Sequence, residues 1–198
     1  MKKQEIIEFF DRHAQGWDAG MIRDDAKIGA ILDAARVCPG CRVLDVACGT
    51  GVLFPDYLER GVAQVVAVDI SPEMTKIAAQ KAEDPRILVR CGDVEELVFD
   101  ALFDSIVVYN AFPHFPEPGR LLARLSSLLV PGGVLCVAHG MSLDALHRHH
   151  AHARSVSRTM LTPQALCALL PGELAVTMAV ADDEKYIVAA MRARQDCE

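Results

Sequence analysis

Short apolar runs alternate with segments of helical spacing along most of this chain of 198 residues. Five such runs recur at intervals of roughly 20–25 residues, which is a spacing typical of βαβ units. The segments between them carry helix signals, such as Ser71 as an N-cap followed by Pro72 at the first helical position. The alternation therefore predicts a parallel sheet. The predicted strands are residues 43–47, 64–69, 86–91, 103–109 and 134–138.

The pattern differs at the two ends of the chain. Two amphipathic segments, residues 3–12 and 24–37, precede the first predicted strand. After the fifth strand, residues 142–154 have helical spacing, and two further apolar runs, residues 174–181 and 185–192, are joined by a polar turn. These last two runs predict an antiparallel hairpin. We expect an α/β, Rossmann-like fold with a seven-stranded, mostly parallel sheet, a C-terminal antiparallel hairpin and helices on both faces.

Composition restricts the classes of function. A hydrophobic content of 52% predicts one domain with a sizeable core and excludes disorder. The net charge of −7 argues against binding to nucleic acid or to an anionic membrane, so we expect a small-molecule substrate. No apolar run approaches the ~20 residues that span a bilayer, and no secretory signal follows Met1. The number of cysteines, seven, is odd, so we expect a cytoplasmic protein with reduced thiols. We expect either a monomer or a homodimer.

The first predicted strand leads into a glycine turn, in which Gly49 and Gly51 flank Thr50. Glycine leaves no Cβ where a ligand approaches the backbone, and ligands of parallel sheets bind at the carboxyl ends of the strands. A P-loop needs lysine after its last glycine, whereas Val52 follows Gly51. A dinucleotide site needs a third glycine where Phe54 stands. The turn therefore indicates a ligand of another kind.

Five motifs between residues 40 and 138 identify that ligand by resemblance. They are Asp45-Val-Ala-Cys-Gly-Thr-Gly51, Val68-Asp-Ile-Ser-Pro-Glu-Met74, Cys91-Gly-Asp-Val94, Phe103-Asp-Ser-Ile-Val-Val-Tyr-Asn110 and Leu129-Val-Pro-Gly-Gly-Val-Leu135. Their order and spacing resemble those of class I S-adenosylmethionine (SAM)-dependent methyltransferases, specifically the branch called methyltransferase type 11. Ala47 replaces the usual first glycine, and Cys48 is a tolerated variant.

The resemblance implies a role for each motif in holding SAM. Asp45 would accept a hydrogen bond from the ammonium group, and Asp69 would accept from both ribose hydroxyls. Ile70 would pack on adenine, whose N6 would donate to Asp93 and whose N1 would lie near the backbone N–H of Val94. Taken alone, Asp69 is also explained as a helix cap and Asp93 as a turn residue. Further cofactor contacts are predicted for Ala47, Gly49, Thr50, Gly51, Gly92 and Asn110, the last beneath the transferring methyl group.

The segment from Phe9 to Asp18 resembles the lead-in of small-molecule methyltransferases, which folds over the cofactor as a lid. His13 would then face the active site, and Trp17 would approach the sulfonium through cation–π attraction; alternatively, Trp17 only packs the first helix on the core. His114 follows the fourth strand, where this fold places substrate contacts, and is the best single candidate for a general base.

Histidines cluster after the fifth strand. His139 ends that strand and is predicted to contact substrate, while His147 and His150 would share a helix face and His149 and His152 would form a second such pair. His139 with one pair, with His147 and His150 as the chosen ligands, supplies three nitrogens for zinc or another transition metal, although a solvated histidine-rich helix is the simpler interpretation. The pair Cys38 and Cys41 has metal or redox spacing but no second pair beside it, so we interpret it as structural.

The sequence therefore predicts a SAM-dependent methyltransferase that acts on a small molecule by in-line displacement. One alternative is a metal-assisted thiol or metalloid methyltransferase that uses the histidines of residues 139–152. Another is a SAM-binding regulatory or metal-sensing protein without turnover. The predicted single domain, 1–198, comprises a helical lid segment (1–38), a SAM-binding core (40–138), a substrate-side helical insertion (139–172) and a closing hairpin (173–194).

Overall fold

The computed structural model describes residues 1–150 and 155–194, and side chains for all of these except 149 and 150. Its α-helices are α1 (Lys3–His13), α2 (Asp25–Ala34), α3 (Phe54–Glu59), α4 (Pro72–Lys81), α5 (Pro118–Ser127), α6 (Leu143–His150) and α7 (Pro163–Cys167). Its strands are β1 (Arg42–Val46), β2 (Gln64–Asp69), β3 (Ile87–Cys91), β4 (Phe103–Tyr109), β5 (Leu129–His139), β6 (Leu174–Ala181) and β7 (Tyr186–Arg192). Short 3-10 turns span Ala14–Gly16, Asp18–Gly20 and Phe112–His114.

The strands form one seven-stranded sheet in the order β3-β2-β1-β4-β5-β7-β6. The first five strands are parallel, and β7 lies antiparallel to both β5 and β6. The order reverses at β1, beside β4, so a crevice opens at the carboxyl ends of these two strands. The predicted fold class, a mostly parallel sheet with a closing antiparallel hairpin, is confirmed.

Alternate residues of the central strands point to opposite faces of the sheet, and each face is buried under helices. On one face Leu44 and Ile106 pack in a cluster that includes α5 residues such as Leu121. On the other face Val43 and Val107 pack in a cluster with residues of α2 and α3. The central strands are therefore the middle layer of three, and in the described part of the chain a ligand can approach them at their ends.

The fifth strand begins earlier than predicted, at Leu129 rather than at residue 134. Its pairing with β4 shifts between Phe103 and Ser105, so residues 131–133 form a bulge within the strand instead of a turn before it. Gly133 permits this, because a Cβ there would lie 3.0 Å from the carbonyl oxygens of Phe103 and Val130. The local sequence resembles a turn because a bulge uses the same residue types.

The outer strand β6 is exposed along its length after Leu174, and its eight residues include no charged side chain. Val176 has an exposed fraction of 47%. None of the helices among the described residues is long and apolar enough to cross a membrane.

Candidate functional site

A cavity of about 880 Å³ opens at the carboxyl ends of the parallel strands. Its floor is formed by the residues that follow β1, β2, β3 and β4 and by the end of β5, and its roof by α1 and the turns after it. Ten of the predicted cofactor contacts line it, namely Trp17, Ala47, Gly49, Thr50, Asp69, Ile70, Gly92, Asp93, Val94 and Asn110. The predicted histidines His13, His114 and His139 line it as well. The topology thus brings together residues that are separated by more than half of the chain.

Two predicted cofactor residues, Asp45 and Gly51, do not line the cavity. Gly51 has a φ of +85°, and a Cβ there would lie 2.5 Å from the ring of Phe54. Glycine at this position is therefore required by packing within the turn. Asp45 is 2% exposed, on the sheet face that is covered by α2 and α3.

The glycine turn follows an unusual backbone path. Ala47 has a φ of +55° and Gly49 a φ of +54°, both in the left-handed region. The alanine costs about 1 kcal/mol in this conformation, whereas glycine adopts it freely. A Cβ on Gly49 would meet nothing within 4 Å, so this backbone faces open space. The turn therefore presents bare main chain to the cavity.

Asp69 ends β2 and is 8% exposed. Its Oδ2 accepts from the backbone N–H of Gly49 at 2.9 Å, and its Oδ1 accepts from that of Ser71 at 2.9 Å. Burial raises the pKa of the Asp69 carboxyl, and the two hydrogen bonds act in the opposite direction. Ser71, not Asp69, caps α4 by accepting from the N–H of Met74. Each carboxylate oxygen keeps a second lone pair, so Asp69 can hold the turn and still accept from a ligand.

Asp45 lies close enough to Asp69 for their charges to interact. Burial and then the negative charge of Asp69 raise the pKa of the Asp45 carboxyl to about 7. Two buried acids near one turn create a negative potential, which suits a ligand with a cationic group.

Asp93 follows β3 and lies in an ion pair with α1, the helix predicted to belong to a lid. Its Oδ2 is 2.5 Å from Lys3 Nζ, and its Oδ1 accepts from the backbone N–H of Glu95 at 2.9 Å. The second contact is a local turn contact, and it leaves the predicted adenine contact of Asp93 a prediction. Lys3 also reaches Glu96 at 2.7 Å, so the first turn of α1 is held at this side of the cavity.

Asn110 joins the ends of two neighbouring strands. Its backbone is left-handed, with a φ of +55°, and its Oδ1 accepts from the N–H of Gly140 at 3.0 Å. Its own N–H donates to the carbonyl of Ala138 at 2.9 Å. These bonds fix the floor of the cavity between β4 and β5.

His114 is oriented by a segment that follows the histidine-rich helix. Its Nδ1 lies 2.8 Å from the carbonyl oxygen of Val156 and 3.1 Å from Ser157 Oγ. A carbonyl only accepts, so Nδ1 carries the proton and Nε2 is the basic nitrogen of the neutral ring. The ring also packs edge-on against Phe10 of α1, with 4.9 Å between centroids.

The roof of the cavity is aromatic. Phe10 packs against Trp17 with ring centroids 5.6 Å apart, and Trp17 is 37% exposed. His13 points back along its own helix, with Nδ1 2.7 Å from the carbonyl oxygen of Phe9. Both predicted roles of Trp17 are therefore compatible with its position, since it packs on the lid and also lines the cavity.

The histidines after β5 form no metal site within the described part of the chain. No three His, Cys, Asp or Glu side chains come together there in a metal-binding group. His139 is 1% exposed at the end of β5, with its ring 6.2 Å from that of Tyr186. His147 Nε2 lies 3.0 Å from the carbonyl oxygen of Met160, and His147 does not line the cavity. The side chain of His150, the third predicted ligand, lies outside the described residues, as do the side chains of the alternative pair, His149 and His152.

Two acids in the lid segment were not predicted as site residues. Asp18 accepts from the hydroxyl of Thr50 and from Lys81 Nζ, each at 2.6 Å. Asp11 accepts from the hydroxyl of Ser71 at 2.5 Å. These contacts join the lid to the glycine turn and to α4. Each joins residues more than 30 positions apart, so local sequence carries no signal for it.

Comparisons with known proteins agree with this geometry. Residues 44–137 match the family model described as a methyltransferase domain. A ubiquinone biosynthesis O-methyltransferase of Xanthomonas campestris pv. campestris (strain B100) is 39% identical over 107 residues, covering 52% of this chain and 44% of the relative. One with the same name from Rhodopseudomonas palustris (strain BisB18) is 32% identical over 155 residues, covering 68% of this chain and 60% of the relative. The chain thus spans about half the length of these curated relatives.

A solved structure shares the fold. The N-methyltransferase NodS from Bradyrhizobium japonicum WM9, in complex with S-adenosyl-L-homocysteine (SAH), superposes with a TM-score of 0.73 at 14% identity. The match covers 94% of this chain and 98% of that one. The match of residues 44–137 to the family model and to the O-methyltransferases places this part of the chain among the class I SAM-dependent methyltransferases. Within that class, residues 44–137 belong to the methyltransferase domain of the type 11 branch.

Proposed function

We propose that the cavity binds SAM and that the protein transfers the methyl group of SAM to a small-molecule acceptor. One observation carries the proposal: the unobstructed backbone of Gly49 and the carboxylate of Asp69 line the same cavity. The buried acid Asp45 lies close enough for its charge to interact with that of Asp69. The volume of about 880 Å³ is large enough for a nucleoside with an amino acid and for a second small molecule.

The residues present fit this cofactor. Asp69 has lone pairs for ribose hydroxyls, and Gly49 leaves room for a ligand to lie on the main chain. Asp45 does not line the cavity, so we propose that it acts on the ammonium group through a bridging water or through its charge. When bound, SAM supplies a methyl group that is already activated by its attachment to a sulfonium.

The chemistry left to the protein is mainly positioning and the exclusion of water. The lid provides exclusion, because α1 is tied across the cavity by Lys3 at one end and by Asp11 further along. Phe10 and Trp17 present apolar surface to the second molecule. We therefore propose an acceptor with an apolar or aromatic body.

We further propose that the acceptor atom is a hydroxyl oxygen. The relatives are named O-methyltransferases, and a hydroxyl must lose its proton during transfer. His114 can take that proton at Nε2, since its Nδ1–H is held by the carbonyl of Val156.

The proposal is tested in two stages. Isothermal titration with SAM and SAH should show binding of one molecule per chain. Labelled SAM should then be offered with panels of phenols, amines and thiols, and we expect SAH release with phenols above the other two. Absence of SAM and SAH binding by folded protein would refute the cofactor assignment. Turnover with amines or thiols alone would refute the assignment of the acceptor atom.

A further inference from the structure

Cys38 and Cys41 occupy the ends of an exposed β-turn away from the cavity. The N–H of Cys41 donates to the carbonyl of Cys38 at 3.2 Å, which closes the turn. Pro39 fixes its own φ at the second position, and Gly40 has a φ of +81° at the third. This is the sequence and geometry of a type II turn, in which the first and fourth Cα atoms lie within about 7 Å.

The sulfur of Cys41 turns back towards the first residue of this turn. The backbone N–H of Cys38 donates to Cys41 Sγ at 3.4 Å, and burial together with the nearby Cys38 thiol raises the pKa of Cys41. A disulfide needs Cα atoms separated by roughly 4.4–6.8 Å, a range that such a turn can supply. A turn closed in this way can therefore bring the two thiols to bonding distance without refolding of the chain.

The turn is held in place from outside. The N–H of Gly40 donates to the carbonyl of Gly61 at 2.9 Å, and the carbonyl of Cys41 accepts from the N–H of Ala63 at 2.9 Å. The first contact lies within the turn and the second at its end. The geometry that favours a bond between the sulfurs is therefore present before oxidation, which lowers the entropic cost of closing the ring.

The thiols differ in exposure in a way that assigns their roles. Cys38 is exposed, whereas Cys41 is 6% exposed. Burial raises the pKa of the Cys41 thiol, so Cys41 is the less reactive of the two towards solvent. An exposed attacking thiol next to a shielded one is the arrangement of a dithiol site that forms an internal disulfide.

We propose that Cys38 and Cys41 form a redox-active dithiol site, which a small-molecule disulfide such as oxidised glutathione converts to an internal disulfide. The Cys38 thiolate attacks one sulfur of oxidised glutathione and expels a glutathione thiolate. The Cys41 thiolate then attacks the Cys38 sulfur and expels the second glutathione. The protein loses two protons and two electrons, and oxidised glutathione is reduced to two thiols. This site goes beyond the structural interpretation that the sequence favoured.

A single peptide reports the reaction. Trypsin cleaves after Arg36 and Arg42, and the peptide of residues 37–42 contains both cysteines and no others. The folded protein is incubated at graded ratios of oxidised to reduced glutathione, quenched in acid, alkylated, digested and weighed by mass spectrometry. Cys91, another exposed thiol, provides an internal comparison. We expect the oxidised peptide to be lighter by two hydrogen atoms and to resist alkylation. It should form at a ratio of oxidised to reduced glutathione at least tenfold lower than the ratio at which Cys91 becomes modified.

Two variants separate the proposal from general thiol reactivity. In Cys41→Ser the internal bond is impossible, so Cys38 should accumulate as a mixed disulfide with glutathione. In Gly40→Ala a side chain enters open space but strains the left-handed backbone, so the required ratio should rise about fivefold or more. Thermal melts confirm that each variant is folded. The proposal is overturned if the wild-type peptide behaves otherwise at the glutathione ratio that modifies Cys91, that is, if it stays reduced or carries glutathione.

Discussion

At the scale of single residues, the acids of the site combine a cost in stability with a proposed use in binding. Asp45 is buried at the end of β1, and its carboxyl has a pKa near 7 because of burial and the charge of Asp69. The folded protein therefore holds a proton at this carboxyl up to higher pH than the unfolded chain does. Stability from this group falls as the pH rises from about 4 to about 7, and above that range the penalty of the charge is complete.

Replacing Asp45 with asparagine should make the protein more stable in alkaline solution and weaken cofactor binding. The amide carries no charge to bury, so we expect Asp45→Asn to gain on the order of 1–3 kcal/mol in free energy of unfolding at pH 8 and little at pH 4. Urea unfolding at the two pH values measures the first effect, and titration with SAH measures the second. Equal gains at both pH values would contradict the proposed ionisation.

His114 should be separable from cofactor binding. Without a base at Nε2, His114→Ala is expected to lower kcat by about 10²–10⁴-fold, with the SAH dissociation constant unchanged. The comparison variant is His13→Ala, whose ring points back to the carbonyl of Phe9, and it should lose much less. Equal kcat for wild type and His114→Ala would remove His114 from the mechanism.

Ser157 is proposed as a positioning residue for the same imidazole. Its hydroxyl lies 3.1 Å from His114 Nδ1, beside the carbonyl of Val156. In Ser157→Ala we expect kcat to fall by a larger factor than KM changes. Ser157→Thr keeps the hydroxyl and should restore most of the lost kcat. A purely structural role would lower the melting temperature of Ser157→Ala without this split between kcat and KM.

At the scale of elements, several polar contacts attach the roof of the cavity, in addition to buried apolar residues such as Ile6. Lys3 pairs with Asp93 after β3, and Asp11 accepts from Ser71 at the start of α4. Asp18 accepts from Thr50 in the glycine turn after β1. Helix α1 and the turns after it are therefore connected to three different places at the cavity. Partly exposed contacts of this kind contribute little to global stability. They are well suited to an element that opens to admit ligands and closes over them.

The single tryptophan of the chain would report such an opening or closure. Asp18 adjoins Trp17 and accepts from Thr50 and Lys81. We expect SAH to change the fluorescence of Trp17, and we expect Asp18→Asn to raise the dissociation constant for SAH several-fold with a stability loss of no more than about 1 kcal/mol. Lys185→Ala, which breaks the Lys185–Asp182 pair on the distant hairpin, is the matched control and should bind SAH like wild type. Equal affinity of both variants would show that the Asp18 contacts do not hold the lid for binding.

The sequence predicted the elements well and the contacts between them poorly. Residues 64–69 and 103–109 match the observed strands β2 and β4, since apolar periodicity and punctuation are local signals. The early start of β5 was missed because bulge and turn use the same residues. Other contacts join residues that are distant in sequence, so no local pattern predicts them. These are the contacts of Asp11 and Asp18 and the hydrogen bonds of His114 to Val156 and Ser157.

At the scale of the whole molecule, ligand binding should appear as thermal stabilisation. A ligand at 100 times its dissociation constant adds about 2.7 kcal/mol to the free energy of unfolding. For a chain of this length, that corresponds to a rise in Tm of roughly 5–10 °C. We expect SAH to produce this rise in calorimetric melts, and adenosine alone to produce less because it lacks the ammonium group. An equal shift with adenosine would argue against a role for the acids near β1.

The uncharged outer strand β6 has a practical consequence for handling the protein. Natural sheets protect such edges with lysine or proline, because an open edge is a template on which another chain can add a strand. Residues 174–181 contain neither residue type, and the one irregularity of this edge is a register shift between Val176 and Met178. Storage at high concentration, freezing and slow refolding should therefore favour precipitation of this protein. The substitution Met178→Lys should keep solutions free of turbidity under the same conditions.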